Sequence, residues 1–224
     1  MTELSIFQSY PLLIKGAITT LTITFTSIFC ALFLSCLLVI CRLSLIRPLR
    51  YMAYIYIETF RTLPLVMVLI GFYLVIPEIL RNLFNLTGDI RLQAAIISFS
   101  LFEAAYFSEI LRSGINAVAR NQFQAAKALG FTSLQTYRLI ILPQAIKNTF
   151  PALLTQCIIL FQDVALVYVI GLPDFFGMAV KIGARDGAIV EAILFASIIY
   201  FVICYILQRV VNRLKQATSL YEVK

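Results

Sequence analysis

Charged residues are scarce in this chain, and histidine and tryptophan are missing altogether. Only 13% of the 224 residues are Asp, Glu, Lys or Arg, whereas 61% are hydrophobic and the mean hydropathy is +0.94. Soluble domains carry about 25% charged and about 45–50% apolar residues, because their cores must be covered by charge. The composition therefore excludes a soluble domain and predicts one integral membrane domain with no appended catalytic domain.

The missing residues and motifs exclude several functions. Histidine is the usual general acid or base near neutral pH and the commonest metal ligand. No phosphate-binding GxxxxGK[ST] loop occurs in the sequence. The five cysteines form no CxxC pair and lie in or beside apolar runs, so we interpret them as reduced packing residues. We expect no enzyme activity, metal or cofactor on this chain.

Five apolar stretches are long enough to cross a bilayer, because about 20 helical residues span its ~30 Å hydrocarbon core. We place them at residues 16–41, 51–76, 92–111, 145–172 and 188–208. Each must be helical, since lipid offers no hydrogen bonds to an open backbone. The predicted fold class is an all-α integral membrane protein with about five transmembrane helices.

Basic residues are distributed unevenly between the connections on the two sides of these spans. One set of connections contains twelve Lys and Arg residues and the other contains five. Because basic connections stay in the cytoplasm, we predict an external N-terminus and a cytoplasmic C-terminus. The net charge of +7 is then a topology signal and no indication of nucleic-acid binding.

The longest predicted cytoplasmic connection has the features of two short helices. Residues 122–129 are good helix formers, and Gly130 follows where a left-handed cap is expected. Thr132 and Gln135 match a capping box, and Pro143 predicts the end of the second helix. The unit has three possible uses: DNA binding, a plain amphipathic connector, or docking of a soluble partner. The adjoining apolar spans hold it against the bilayer, which argues against DNA and favours docking.

The same segment resembles the cytoplasmic EAA signature of permease subunits in binding-protein-dependent ABC importers. The matching residues are Gln124, Ala125, Ala126, Gly130, Ile140, Leu142 and Pro143. Gln124 stands where the family usually has glutamate. From about Lys15 to Arg213 the chain resembles the polar amino-acid branch. The stretches most similar to glutamate/aspartate permease subunits are residues 58–65, 102–115, 160–176 and 184–196.

This resemblance implies a type I ABC importer permease fold in a bacterial inner membrane. Residues 1–15 would be a periplasmic segment, 16–213 the transmembrane domain and 214–224 a cytoplasmic tail. Residues 121–143, which we call the docking unit, would contact an ATPase dimer that carries ATP and Mg. The other implied partners are a second permease subunit, identical or similar, a periplasmic solute-binding protein and membrane lipid. An ion-gradient-driven secondary transporter or channel is the alternative, although it needs no docking unit and often shows an inverted repeat.

Polar residues inside the predicted spans are candidates for the transport path, because ionisable groups are costly in lipid. Glu58 and Arg61 share a helix face and could neutralise one another. Alternatively, Arg61 could hold a substrate carboxylate in a two-point contact. The other candidates are Glu103, Gln162 and Asp163; the two carboxylates could equally be held between packed helices.

Hydroxyl residues crowd the first span but are not confined to one face of it. Threonine in a membrane helix can bond back to the preceding turn or across to a neighbouring helix. We therefore expect these side chains to be structural and not to line a pore.

Overall fold

The computed structural model describes residues 9–84 and 88–219, and no strand occurs among them. The helices are α1 (Tyr10–Leu43), α2 (Arg47–Thr62), α3 (Leu65–Phe84), α4 (Arg91–Ala117), α5 (Arg120–Ala128), α6 (Ser133–Thr136), α7 (Leu142–Asp163), α8 (Phe175–Asp186) and α9 (Ile189–Ser219). A π-helical turn, Tyr137–Ile141, joins α6 to α7, and a 3-10 segment, Val164–Ile170, extends α7.

Five helical runs in these described ranges are long and apolar enough to cross a membrane. They cover residues 10–43, 65–83, 91–117, 133–170 and 189–216. Large apolar side chains stay exposed along them, for example a stripe on α1 formed by Phe25, Phe29 and Phe33. An outer surface of this kind requires lipid or another apolar subunit. The prediction of an all-α protein with about five spans is confirmed.

The bounds predicted for the second span, residues 51–76, are wrong. The helix breaks at Leu63 and Pro64, where Leu63 is extended, with φ −83° and ψ 139°. Pro64 has no N–H to continue the ladder, and its ring disfavours helical angles at the residue before it. Two helices result, α2 and α3, and the apolar run of membrane length is residues 65–83.

Pro143 does not end a helix, contrary to the prediction. The helical run passes through it and continues from Ser133 to Ile170, so the fourth span begins well before residue 145. The π-helical turn makes this possible, because the N–H of Leu142 donates to the carbonyl of Tyr137, five residues back. A wider turn relieves the clash that a proline ring makes with the preceding turn of an α-helix. The docking unit and the fourth span therefore share one helical run.

Helix α4 is at the centre of the protein and packs against α1, α2, α3 and α7. Its buried face is rich in small residues: Ala94, Ala95, Ser98, Ser100, Ala104, Ala105, Ser108 and Gly114. Small residues let membrane helices approach closely, and dispersion contacts then hold them together. The approach is closest at Gly114, where an added Cβ would lie 2.0 Å from Cγ2 of Thr149 on α7.

The threonines of α1 have structural roles, as predicted. The hydroxyls of Thr19, Thr20, Thr22, Thr24 and Thr26 each donate to the carbonyl four residues back, over 2.6–3.2 Å. The hydroxyl of Thr20 also accepts the backbone N–H of Phe175 at 3.0 Å. This second bond fixes the start of α8 against α1.

Candidate coupling surface and transport path

The docking unit begins as a short helical hairpin, and its turn has the predicted chemistry. Gly130 has φ +82°, in the left-handed region that a Cβ disfavours. The N–H of Gln135 donates to Oγ1 of Thr132 at 3.3 Å, and the N–H of Thr132 donates to Oε1 of Gln135 at 2.9 Å. The left-handed cap and the capping box are both confirmed.

The inner side of the docking unit fastens α5 to the π-helical turn. The rings of Phe123 and Tyr137 meet edge to face, with centroids 5.0 Å apart. Ala126, Thr136 and Ile141 are buried nearby in the chain. The helix α5 therefore packs on the beginning of the fourth span, the helical run that continues as α7.

The outer side of the docking unit is open. Among the signature residues, Gln124, Ala125, Gly130, Leu142 and Pro143 are exposed, Ile140 is half-buried and Ala126 is buried. Two leucines that the sequence analysis did not single out, Leu129 and Leu134, are 76% and 77% exposed at the tip of the hairpin. Exposed apolar side chains rimmed by polar ones are typical of an interaction surface. The sequence could have indicated these two leucines, because both lie next to the predicted turn that contains Gly130 and Thr132.

Arg61 lies in the last turn of α2 and its side chain is exposed. Its Cζ lies 5.9 Å from the centroid of the Tyr106 ring, and the Tyr106 hydroxyl is 3.5 Å from the Arg61 carbonyl, to which it donates. In residues 9–84 and 88–219, no carboxylate lies within 4.0 Å of the guanidinium. Glu58, which is half-buried, therefore makes no direct ion pair with Arg61.

Glu103 is fully buried in α4. Its Oε2 accepts a hydrogen bond from Nε2 of Gln156 on α7 at 3.0 Å, while its Oε1 has no partner among the described residues. This carboxyl group therefore links α4 to α7 inside the helix packing, and does not lie on the exposed face that carries Arg61. Any part it has in transport stays a prediction.

Asp163 lies two helical turns beyond Gln156, on the same face of α7. Both Glu103 and Tyr106 are within its electrostatic range. Gln162 is about 100° away around the helix, on the side of Cys204 of α9. Three of the five candidates, Arg61, Glu103 and Asp163, thus lie near Tyr106, and Gln162 points away from it.

Tyr106 and Gln156 were missed by the sequence analysis. Neither residue type is unusual in a membrane helix, and no spacing within one helix connects them to Arg61 or Glu103. Only the packing of α2, α4 and α7 brings these side chains together.

The chain matches the family model "binding-protein-dependent transport system inner membrane component" over residues 31–219, and it belongs to that family. The glutamate/aspartate import permease protein GltK of Escherichia coli O6:H1 is 48% identical over 217 residues, 96% of this chain and 97% of that protein. The arginine transport system permease protein ArtQ of Bacillus subtilis (strain 168) is 37% identical over 197 residues, 88% of each chain.

Two solved structures resemble this chain over nearly its whole length. An amino acid ABC transporter crystallised with histidines matches with a TM-score of 0.86 and 31% identity, over 96% of this chain and 97% of that one. The MetNI methionine ABC transporter in an inward-facing form matches with a TM-score of 0.72 and 21% identity, over 97% and 99%, which shows the fold alone. The chain is a multi-pass, pore-forming permease subunit of an amino-acid ABC importer, a system whose ATPase is a separate subunit.

Proposed function

We propose that the chain forms one half of the path by which glutamate and aspartate enter a bacterial cell through its inner membrane. The observation that carries this proposal is the 48% identity to a glutamate/aspartate import permease over 96% of the chain, against 37% to an arginine permease. A second permease subunit, identical or similar, supplies the other half. A periplasmic solute-binding protein delivers the amino acid, and a dimeric ATPase with ATP and Mg drives transport.

The charge on the exposed face of α2 supports an acidic substrate. The Arg61 guanidinium is exposed at the break between α2 and α3, next to the ring of Tyr106. A guanidinium without a fixed carboxylate partner can donate two parallel hydrogen bonds to a substrate carboxylate. The carboxyl of Glu103 is buried and held by Gln156, so it does not present its charge to that face.

The continuous helical run from the docking unit supports coupling to an ATPase. Residues 133–170 form one run, with Ser133 at the hairpin and Gln156 beside Glu103. An α-helix rises about 1.5 Å per residue, so these 23 steps span ~35 Å. A movement of α6 at the ATPase therefore reaches Gln156, beside Glu103, without crossing a loop.

The predicted orientation is part of this proposal. The excess of basic residues supports a periplasmic N-terminus and a cytoplasmic C-terminus, which puts residues 121–143 on the side where ATP is available. Labelling single cysteines with a membrane-impermeant reagent tests it. In a variant whose five native cysteines are replaced, a cysteine introduced at Leu134 should react only after the membrane is opened. Reaction from outside intact cells would reverse the orientation.

Substrate transport is tested in proteoliposomes that hold the complete transporter and its binding protein, with labelled glutamate outside and ATP inside. We expect ATP-dependent uptake that aspartate blocks and arginine does not. Effective competition by arginine would overturn the acidic substrate while leaving the importer intact. Uptake that needs an ion gradient in place of ATP would overturn the coupling itself.

The role of Arg61 is tested by Arg61→Ala, with Arg213→Ala as a control arginine near the end of α9. Hydrogen bonds to charged groups contribute ~1.5–3 kcal/mol each, so loss of even one of the two should lower uptake at least about 10-fold in Arg61→Ala, and uptake should stay unchanged in the control. Assembly and ATP hydrolysis should survive. Unchanged uptake would remove Arg61 from the path without touching the proposed substrate.

Docking is tested by introducing a glutamate on each side of α5. Ala125→Glu alters the exposed signature face, whereas Lys127→Glu alters an exposed position about 160° around the same helix. We expect the first variant to release the ATPase from the purified complex and the second to retain it. Equal retention would show that the signature face is not the docking surface.

A further inference from the structure

Three arginines surround the turn between α1 and α2. Arg42, Arg47 and Arg50, together with Pro48, Tyr51 and Tyr54, line an open cavity of about 510 Å³. Among residues 9–84 and 88–219, no acidic side chain lines it. Its volume lies in the range of small-molecule sites, about 300–1,000 Å³. A cavity of this size with three guanidiniums and no carboxylate is suited to an anion.

The positive charge of this cavity is not compensated within the described part of the chain. None of the three guanidiniums makes an ion pair with a described carboxylate. Arg42 instead lies over the ring of Tyr54, with its Cζ 4.3 Å from the ring centroid. Glu109 is a carboxylate near enough to Arg42 for electrostatic attraction. It is already paired with Arg112, because Nε of Arg112 lies 2.9 Å from Oε2 of Glu109.

Apolar side chains stand exposed beside the arginines. Leu45, in the turn itself, is 95% exposed, and Ile46 and Met52 are also exposed. The cavity adjoins the end of α1, a helix of membrane-spanning length. Apolar residues next to Arg and Tyr are typical of the boundary between lipid tails and headgroups. A soluble anion would leave these apolar side chains exposed to water, whereas the acyl chains of a lipid would cover them.

We propose that this cavity binds the headgroup of an anionic phospholipid, with the phosphate held by Arg42, Arg47 and Arg50. The acyl chains lie along the exposed apolar residues of the α1–α2 turn. Basic pockets at the ends of membrane helices are a recognised setting for anionic headgroups. The bound lipid would hold α1 and α2 together at the membrane surface.

The experiment is native mass spectrometry of the complete transporter, exposed to phosphatidylglycerol or to phosphatidylcholine. The test variant is Arg42→Gln/Arg47→Gln/Arg50→Gln. The matched control is Arg209→Gln/Arg213→Gln/Lys215→Gln, which removes three positive charges near the end of α9. A basic residue at a membrane surface strengthens binding of anionic lipid about fivefold, so three should together contribute about 100-fold. We expect the test variant alone to lose its phosphatidylglycerol adducts, with phosphatidylcholine adducts unchanged in all proteins.

Three results would overturn the proposal. Phosphatidylglycerol adducts retained by the test variant would show that the arginines do not hold lipid. Equal losses in the test and control variants would mean that total charge, and not this cavity, attracts the lipid. Displacement of phosphatidylglycerol by millimolar inorganic phosphate would identify a site for a soluble anion. If the triple variant fails to assemble, the single variant Arg50→Gln is compared with Arg213→Gln, with an expected fivefold difference in adduct intensity.

Discussion

Helix α4 and the docking unit are held in place by different forces. The buried face of α4 is covered by four other helices, and its small residues fit against side chains far away in the sequence. The docking unit is fixed by neighbours in sequence, through the capping box of Thr132 and Gln135 and the left-handed Gly130. Packing in α4 thus depends on the whole bundle, whereas the hairpin of the docking unit depends on contacts within residues 123–137.

This difference predicts how each region responds to mutation. A change in α4 should alter the stability of the whole protein, because every neighbouring helix must adjust. A change in the hairpin should alter the docking unit alone and reach function through the ATPase contact. Substitutions in the two regions can therefore separate assembly from coupling.

The largest effect is expected at Gly114. An added Cβ would meet Cγ2 of Thr149 at 2.0 Å and the Ala145 carbonyl oxygen at 3.0 Å. Overpacking typically costs ~1–3 kcal/mol, so Gly114→Ala should lower the thermal unfolding temperature of the detergent-purified transporter by several degrees. Gly71→Ala is the control, because nothing lies within 4 Å of a Cβ there. Equal melting temperatures for the two variants would contradict the packing of α4 on α7.

The next effect is expected at Gly130. A Cβ in the left-handed region costs ~1–2 kcal/mol, so Gly130→Ala should destabilise the hairpin by that amount and leave the rest of the fold unaffected. We expect unchanged melting of the transporter but weaker stimulation of ATP hydrolysis by the loaded binding protein. Gly187→Ala is the control, since Gly187 has φ +70° but lies in the turn before α9. The same loss of stimulation in both variants would argue against a specific role for the hairpin.

A smaller effect is expected at the capping box. Thr132→Val removes the Oγ1 that accepts the N–H of Gln135 and keeps the shape of the side chain. Loss of such a cap costs about 1 kcal/mol. Hydrogen exchange at the amide of Gln135 should become about fivefold faster in Thr132→Val, whereas Ser133→Ala should leave it unchanged. Unaltered exchange in the Thr132 variant would show that the cap does not protect this turn.

The smallest effect is expected at Asp89, in the connection before α4. Hydrogen bonds from Arg91 lower the pKa of Asp89 to about 2; the Asp89 side chain is 57% exposed and that of Arg91 is 36% exposed. Because the pKa of Asp89 is lower in the folded than in the unfolded state, its ionised form stabilises the folded protein at pH values above about 4. This contribution disappears as the pH falls from about 4 to about 2. Exposed ion pairs contribute at most about 1 kcal/mol. Asp89→Asn should therefore lower the melting temperature slightly at pH 7, and the difference should narrow below pH 4. A difference that is constant with pH would exclude the ion pair as its cause.

The sequence predicted the local features of the docking unit correctly because each depends on one residue type at one spacing. Gly130 and the Thr132–Gln135 pair can be recognised without knowing what surrounds them. Pro143 misled the prediction because the π-helical turn that accommodates it involves an altered hydrogen-bond ladder in the residues before it. Residue preferences alone gave no sign of that alteration.

The candidate transport path was less predictable for a related reason. Arg61, Glu103 and Asp163 could be selected because charge is rare inside an apolar chain. Which of them faces outward depends on the rotation of each helix, and that is set by contacts between helices. The sequence therefore found these polar residues but not their partners, Tyr106 and Gln156.

By itself, the sequence determined that the protein lies in a membrane, that it is helical, and that a capped hairpin interrupts its spans. These properties follow from the cost of placing polar backbone in lipid and from hydrogen bonds between close neighbours in the chain. Only the tertiary structure decided that Glu103 is buried against Gln156, that Arg61 is exposed beside Tyr106, and that the docking unit runs into the fourth span. The first two depend on close packing between segments that are distant in sequence, where a shift of one helix changes which side chains meet. The third depends on the π-helical turn Tyr137–Ile141, which residue preferences did not reveal.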